Sequence, residues 1–136
     1  MASVDAAPSS GLSLMPFAGL RVFIVEDEAL IALALQDMLA DLDARVVGTA
    51  TTRSSALQMI EADRDNIDVV TLDLNLGGET GHDVAALLTR LGIPFVLTTG
   101  YDEPRIFVGL EDCPVINKPF VLADLKLALR ALALGR

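Results

Sequence analysis

Short apolar runs rich in β-branched residues alternate with helical patterns along the whole chain, an alternation that few folds accept. The runs are Arg21 to Val25, Arg45 to Thr49, Ile67 to Leu72, Ile93 to Thr98 and Val115 to Asn117. They are continuously apolar rather than alternating in polarity, as strands are when both faces of a sheet are covered. The pattern predicts one α/β domain, a five-stranded parallel sheet doubly wound with helices.

The intervening segments carry helical periodicity. Residues 29 to 42 put Ile31, Ala34, Leu35, Met38, Leu39 and Leu42 on one face. Thr51 or Thr52 caps a second helix whose inner residues are Ala56, Leu57 and Ile60. A third, roughly 82 to 91, buries Val84, Leu87, Leu88 and Leu91, and Gly92 stops it. Asp102 to Leu110, with Pro104 early and Gly109 late, reads as a short or mobile fourth helix. A last helix over 121 to 134 turns Leu122, Leu125, Leu129 and Leu132 inward. Leu127, Ala131 and Leu134 fall beyond that stripe and offer a candidate partner or homodimer face.

At 136 residues and 52% apolar composition the chain is sized for one domain with a real core. Residues 1–19, dominated early by Ala, Ser, Pro and Gly, read as a flexible N-terminal extension, and 20–136 as the folded unit. A formal charge of −9 argues against a nucleic-acid or anionic-membrane surface, which needs clustered Lys and Arg. The single Cys113 excludes an internal disulfide and a cysteine zinc site. No apolar run approaches the roughly 18 residues that span a bilayer, and SLMPFAGL, broken by Pro16, makes a poor secretion signal. A cytoplasmic location is expected. Only two residues follow the last helix, so no attached output domain is expected.

The chemistry lies where the apolar runs end. RVFIV is followed by Glu26 and Asp27, IDVVTL by Asp73, and PVIN by Lys118, while FVLT ends next to Thr99. Parallel strand ends lie side by side on one edge of a sheet, where open α/β sheets bind ligands. Three carboxylates within about 4 Å of one another would repel by roughly 4 kcal/mol per pair at an effective dielectric of 20. A cation relieves that, and an all-oxygen set selects Mg²⁺ or another hard ion. A carboxylate beside such an ion can attack a phosphoryl group. The Lys118 ammonium and the Thr99 hydroxyl then suit the remaining phosphoryl oxygens, and Gly100 leaves room for them.

VFIVEDE, VVTLDLNLGGETG, LTTGY and the Lys118-Pro119-Phe120 triplet, in this order, resemble the receiver domains of bacterial two-component response regulators, of the CheY-like fold. The resemblance covers residues 20 to 134. It implies a flavodoxin-like strand order of 2-1-3-4-5, with Asp73 as phosphoacceptor for a phosphohistidine on a sensor histidine kinase. It implies that Asp27 and Asp73 bind Mg²⁺ directly, that Glu26 acts largely through water, and that the backbone carbonyl of Asn75 supplies another ligand. Thr99 matches the switch hydroxyl and Lys118 the phosphoryl-binding lysine, whose bond to Pro119 is usually cis. LTTGY is similar to the FATGUY subclass of alphaproteobacterial receivers, many of them stand-alone, whose kinases are often of the HWE or HisKA2 type.

The departures are specific. Val115 stands where receivers usually carry a Tyr, Phe or His, which puts the aromatic half of the switch in question and draws attention to Tyr101. Gly77 replaces the usual Pro four residues after the phosphoacceptor, so the Gly77-Gly78 loop is expected to be mobile. His82, the only histidine, reads as a solvated or capping residue, and Cys113 as a small buried one. The resulting expectation is a stand-alone response regulator that is no enzyme beyond its own phosphorylation and dephosphorylation. It signals through an unknown downstream protein or drains phosphate from a kinase. The rivals are a phosphorylation-independent adaptor and a Mg²⁺-dependent phosphohydrolase.

Overall fold

In the computed structural model, which describes residues 16–100 and 109–134, the elements follow one another as β1 (Arg21–Val25), α1 (Ala29–Asp41), β2 (Arg45–Ala50), α2 (Arg53–Asp63), β3 (Val69–Asp73), β4 (Asn75–Leu76), β5 (Glu79–Thr80), α3 (His82–Leu91), β6 (Phe95–Thr99), β7 (Val115–Asn117) and α4 (Leu122–Leu134). Five strands form one parallel sheet in the order β2-β1-β3-β6-β7, and β4 with β5 makes a separate antiparallel hairpin. Counted without that hairpin, the order is the expected 2-1-3-4-5. Tyr101 and nearly all of the expected fourth helix lie outside the described residues.

The central strands β3 and β6 are buried along their whole length, whereas the edge strands β2 and β7 are partly open. Successive residues of one strand serve opposite faces. Phe23 and Val25 pack with Ala56, Ile60, Val84 and Leu88 under α2 and α3. Val22 and Ile24 pack with Leu35, Leu39, Leu125 and Leu129 under α1 and α4. Phe17, ahead of β1, joins the second cluster and is 8% exposed, so packing reaches back before Leu20.

Local chemistry accounts for the helix limits. Thr52 rather than Thr51 caps α2, its hydroxyl accepting from the Ser55 N–H at 3.1 Å while the Ser55 hydroxyl accepts from the Thr52 N–H. Gly92 ends α3 in the left-handed conformation, φ 73°. One expectation needs correction. The buried stripe of α1 is Ala32, Leu35 and Leu39; Ala34 is exposed and Ile31 and Met38 only half-buried. The Gly77-Gly78 loop forms the tight turn of the β4–β5 hairpin, and its two positive φ values, 63° and 91°, suit a two-residue turn and are why glycine stands there. Among the described residues no helix is long and apolar enough to cross a membrane.

Candidate functional site

The chain leaves β1 toward β2 on one side and returns to β3 on the other, so a crevice opens between the C-terminal ends of β1 and β3. Val25 pairs with Leu72, which brings Glu26 level with Asp73 across that crevice. Asp73 and Thr99 are the last residues of their strands rather than the residues after them, since the ladder runs one step further than the apolar runs indicated. Asp73 is 1% exposed and Glu26 fully buried.

Lys118, from the end of β7, reaches both acids. Its Nζ donates to Asp73 Oδ2 at 2.8 Å and to Glu26 Oε2 at 3.2 Å. Glu26 Oε1 lies 3.1 Å from the same Nζ but at an angle too poor for a hydrogen bond, and it stays a buried oxygen without one. The Lys118–Pro119 peptide is cis.

The electrostatics follow from one ammonium facing two buried carboxylates. Burial and then the Asp73 charge push the Glu26 carboxyl up to about 8, against the pull of the Glu28 N–H and Lys118. Burial also raises Asp73, with Lys118 and the Asn75 N–H opposing it. Burial alone would lower Lys118, but its bonds to Asp73 and Glu26 outweigh that and raise it, so it stays charged. With both carboxylates ionised, the pair is one positive charge short.

Above it lies a cavity of about 130 Å³ lined by Asp27, Glu28, Asp73, Asn75, Gly100 and Lys118. Carboxylate oxygens of Glu26, Asp27 and Glu28 come within 4.8 Å of one another. Oxygen donors, a missing positive charge and the buried Glu26 Oε1 without a hydrogen bond together fit a hard divalent cation. Asp27, Glu28, Asp73 and Asn75 are the oxygen-bearing cavity residues that could hold it, with Glu26 beside Asp27 in the same acidic group. Asp27 is also tied to the hairpin, since its Oδ2 accepts from the Gly77 N–H at 3.0 Å.

The Thr99 hydroxyl donates to Asn117 Oδ1 at 3.0 Å, across the pair that β6 and β7 form there. Thr98, its neighbour, has a buried hydroxyl with no hydrogen bond. Val115 is 36% exposed on the outer side of β7, beside a groove that Leu127 and Ala131 of α4 also line. Cys113 is half-buried against the core, and burial followed by the charges of Asp112 and Glu111 raises its thiol pKa. His82 opens α3 and is exposed.

Three residues of the site were not picked out from sequence. Glu28 lines the cavity and its N–H donates to Glu26 Oε2 at 3.2 Å; the third acid of VFIVEDE was its only signal. Asn117 needed the β6–β7 register to be seen. Gly81 sits so close under β3 that a Cβ there would lie 2.8 Å from the Asp73 carbonyl oxygen and 3.2 Å from Leu74 Cα.

A doubly wound sheet with an acidic crevice at its switch point and a lysine reaching in from the last strand defines a class, and the sequence comparison gives it a name. Residues 22–130 match the model of the response regulator receiver domain, and the chain belongs to that family. The phyllosphere-induced regulator PhyR of Methylorubrum extorquens is 32% identical over 124 residues, 88% of this chain and 46% of PhyR. The transcriptional regulatory protein PdtaR of Mycobacterium tuberculosis is 31% identical over 109 residues, 77% of this chain and 52% of PdtaR. The chain therefore spans about half the length of the curated relatives it matches. The solution structure of SdrG from Sphingomonas melonis superposes with a TM-score of 0.77 at 41% identity, over 85% of this chain and 97% of SdrG. SdrG in its BeF3-activated conformation gives 0.71 at 42% identity, with the same coverage.

Proposed function

We propose that this receiver is a stand-alone, cytoplasmic phosphorylation switch in which Asp73 accepts a phosphoryl group from a sensor histidine kinase with Mg²⁺ bound. The observation that carries the proposal is the Lys118 ammonium 2.8 Å from Asp73 Oδ2 in a cavity that Asp27 and Glu28 also line. A carboxylate oxygen of Asp73 attacks phosphorus, the new P–O bond forms as the P–N bond to the kinase imidazole breaks, and the bonding pair leaves with the imidazole. Lys118 then offers its ammonium to the phosphoryl oxygens. Asp27, Asp73 and the Asn75 carbonyl would hold the cation, which would supply charge neutralisation for phosphoryl transfer.

The readout runs through Thr99. Its single hydroxyl proton is donated to Asn117 Oδ1 in this structure, and turning it to a phosphoryl oxygen breaks that bond. Asn117 borders the groove that Val115 and Leu127 line, so the change reaches a surface fit for a protein partner. Relatives support a protein as downstream partner, since one similar structure is that of an anti-anti-sigma factor PhyR from Bartonella quintana, 28% identical. The alternative output is a phosphate sink for the kinase, of HWE or HisKA2 type.

Amide spectra with beryllofluoride and Mg²⁺ test the switch. The expected result is a set of shifts centred on Asp73, Thr99 and Asn117 that is absent in Asp73→Asn. Shifts confined to the cation's neighbours, with Asn117 unmoved, would instead support a phosphorylation-independent adaptor.

A further inference from the structure

Glu28 is the cavity acid that the phosphoacceptor chemistry leaves without a task. It is the N-cap of α1, with φ −97° and ψ 115°, and its carbonyl accepts from the Ile31 and Ala32 N–H groups. Its own N–H donates to Glu26 Oε2 at 3.2 Å. The side chain makes no capping bond, although N-caps are usually short polar residues that do. It lines the acidic cavity instead and is 63% exposed, whereas Asp73 is 1% exposed. Glu28 also borders the hollow that Ile31, Ala34 and Phe120 line, so it stands where the cavity opens to the surface. We propose that Glu28 is a specificity residue for the phosphodonor, favouring donors that carry the phosphoryl group on a positively charged nitrogen over donors that release an anionic oxygen. The proposal rests on the phosphoacceptor reading above.

Attacking and leaving atoms lie roughly in line through phosphorus. Asp73 attacks from the buried end, so the leaving atom faces the open end, where the Glu28 carboxylate is. Phosphoramidate arrives with its nitrogen protonated; the P–N bond breaks, the pair stays on nitrogen and ammonia departs. A protonated phosphohistidine sheds neutral imidazole in the same way. In acetyl phosphate the P–O bond breaks, the pair stays on oxygen, and acetate departs with a negative charge. A carboxylate at the mouth attracts the nitrogen while positive charge remains on it, and repels the charge that develops on the departing oxygen. Lys118 does not cancel that carboxylate. Its Nζ is bonded to Asp73 and Glu26, and Glu28 Oε1 lies 3.9 Å away, beyond hydrogen-bond reach.

The test measures second-order rate constants for phosphorylation of the full chain by phosphoramidate and by acetyl phosphate at saturating Mg²⁺, in the parent, Glu28→Gln and Glu28→Lys. Asp41→Asn controls for net charge. Asp41 ends α1, roughly 20 Å along the helix from Glu28 and well beyond the Debye length of about 8 Å at physiological salt. The ratio of the phosphoramidate to the acetyl phosphate rate constant should fall about threefold in Glu28→Gln, fall further in Glu28→Lys, and hold in Asp41→Asn. Added salt should lower the parent's ratio more than that of Glu28→Gln. A ratio that is the same in all four proteins overturns the proposal, and so does an equal fall in Asp41→Asn. Rate constants that drop together for both donors, with weaker Mg²⁺ binding by calorimetry, would make Glu28 a cation ligand and overturn it as well. Circular dichroism checks folding, and should Glu28→Lys not fold, Glu28→Gln and the salt series decide. A parent that neither donor phosphorylates defeats the phosphoacceptor reading itself, a result distinct from any change of ratio.

Discussion

Lys118 balances only one of the two buried carboxylates it touches, and the consequence is a pH dependence opposite to that of most acids. The folded-state pKa of Glu26, about 8, stands above its ordinary 4.5, and Asp73 is raised as well. Between those values the folded protein binds more protons than the unfolded chain, so stability present near pH 5 is lost as pH rises toward 8. Asp68 acts at the other end. Its ion pair with Arg21 lowers its pKa, and that contribution is lost only as pH falls through the lowered value. Thermal unfolding in chelator should therefore give a melting temperature that falls from pH 5 to 8, and added Mg²⁺ should flatten the decline. A temperature that is level or rising across that window would contradict the charge balance described. Glu26, Asp73 and Lys118 were legible in the sequence because they terminate apolar runs, and strand ends meet whatever the details of packing. Asn117 and Glu28 were not, because each acts through one hydrogen bond whose partner is set by register or by a local turn.

Among the elements, the β4–β5 hairpin and the start of α3 decide how Asp73 is presented. Gly81 precedes α3 with an ordinary φ of −90°, so it is needed there for closeness and not for conformation. The atoms a Cβ would meet at 2.8 and 3.2 Å belong to the backbone of Asp73 and Leu74, which cannot swing aside as a side chain can. Gly81→Ala should cost about 1–3 kcal/mol in urea unfolding, and it should slow phosphorylation by moving Asp73. A variant with unchanged stability would mean that the loop yields freely. Periodicity located the helices well and placed Leu35 and Leu39 of α1 correctly, but it chose Ala34 over Ala32, two equally apolar residues that the sequence alone does not separate. The hairpin escaped notice for another reason. Gly77-Gly78 reads as flexibility in isolation, and the contacts around its turn, Gly77 N–H to Asp27 and Arg53 to Glu79, come from residues distant in sequence.

For the molecule as a whole, sheet order joins the parts into one device. The switch point between β1 and β3 gathers the acids, β6 and β7 carry Thr99 and Lys118 to the same edge, and Asn117 links that edge to the outer groove of β7 and α4. Continuous apolar runs showed that the sheet is covered on both faces, and strand order was legible only through the resemblance to receiver domains. The proposed coupling from site to surface was not, because with Val115 in place of an aromatic residue the sequence pointed to Tyr101, which lies outside the described residues, and Asn117 is found only through the β6–β7 register. The central claim is that Asp73 is a Mg²⁺-dependent phosphoacceptor. Its most direct test is incubation of the full chain with a small-molecule phosphodonor, followed by intact-mass measurement and peptide mapping. The expected result is one added phosphoryl group on Asp73, lost when Mg²⁺ is chelated and absent in Asp73→Asn. A chain that stays unmodified with Mg²⁺ present, or that is modified equally in Asp73→Asn, would contradict it.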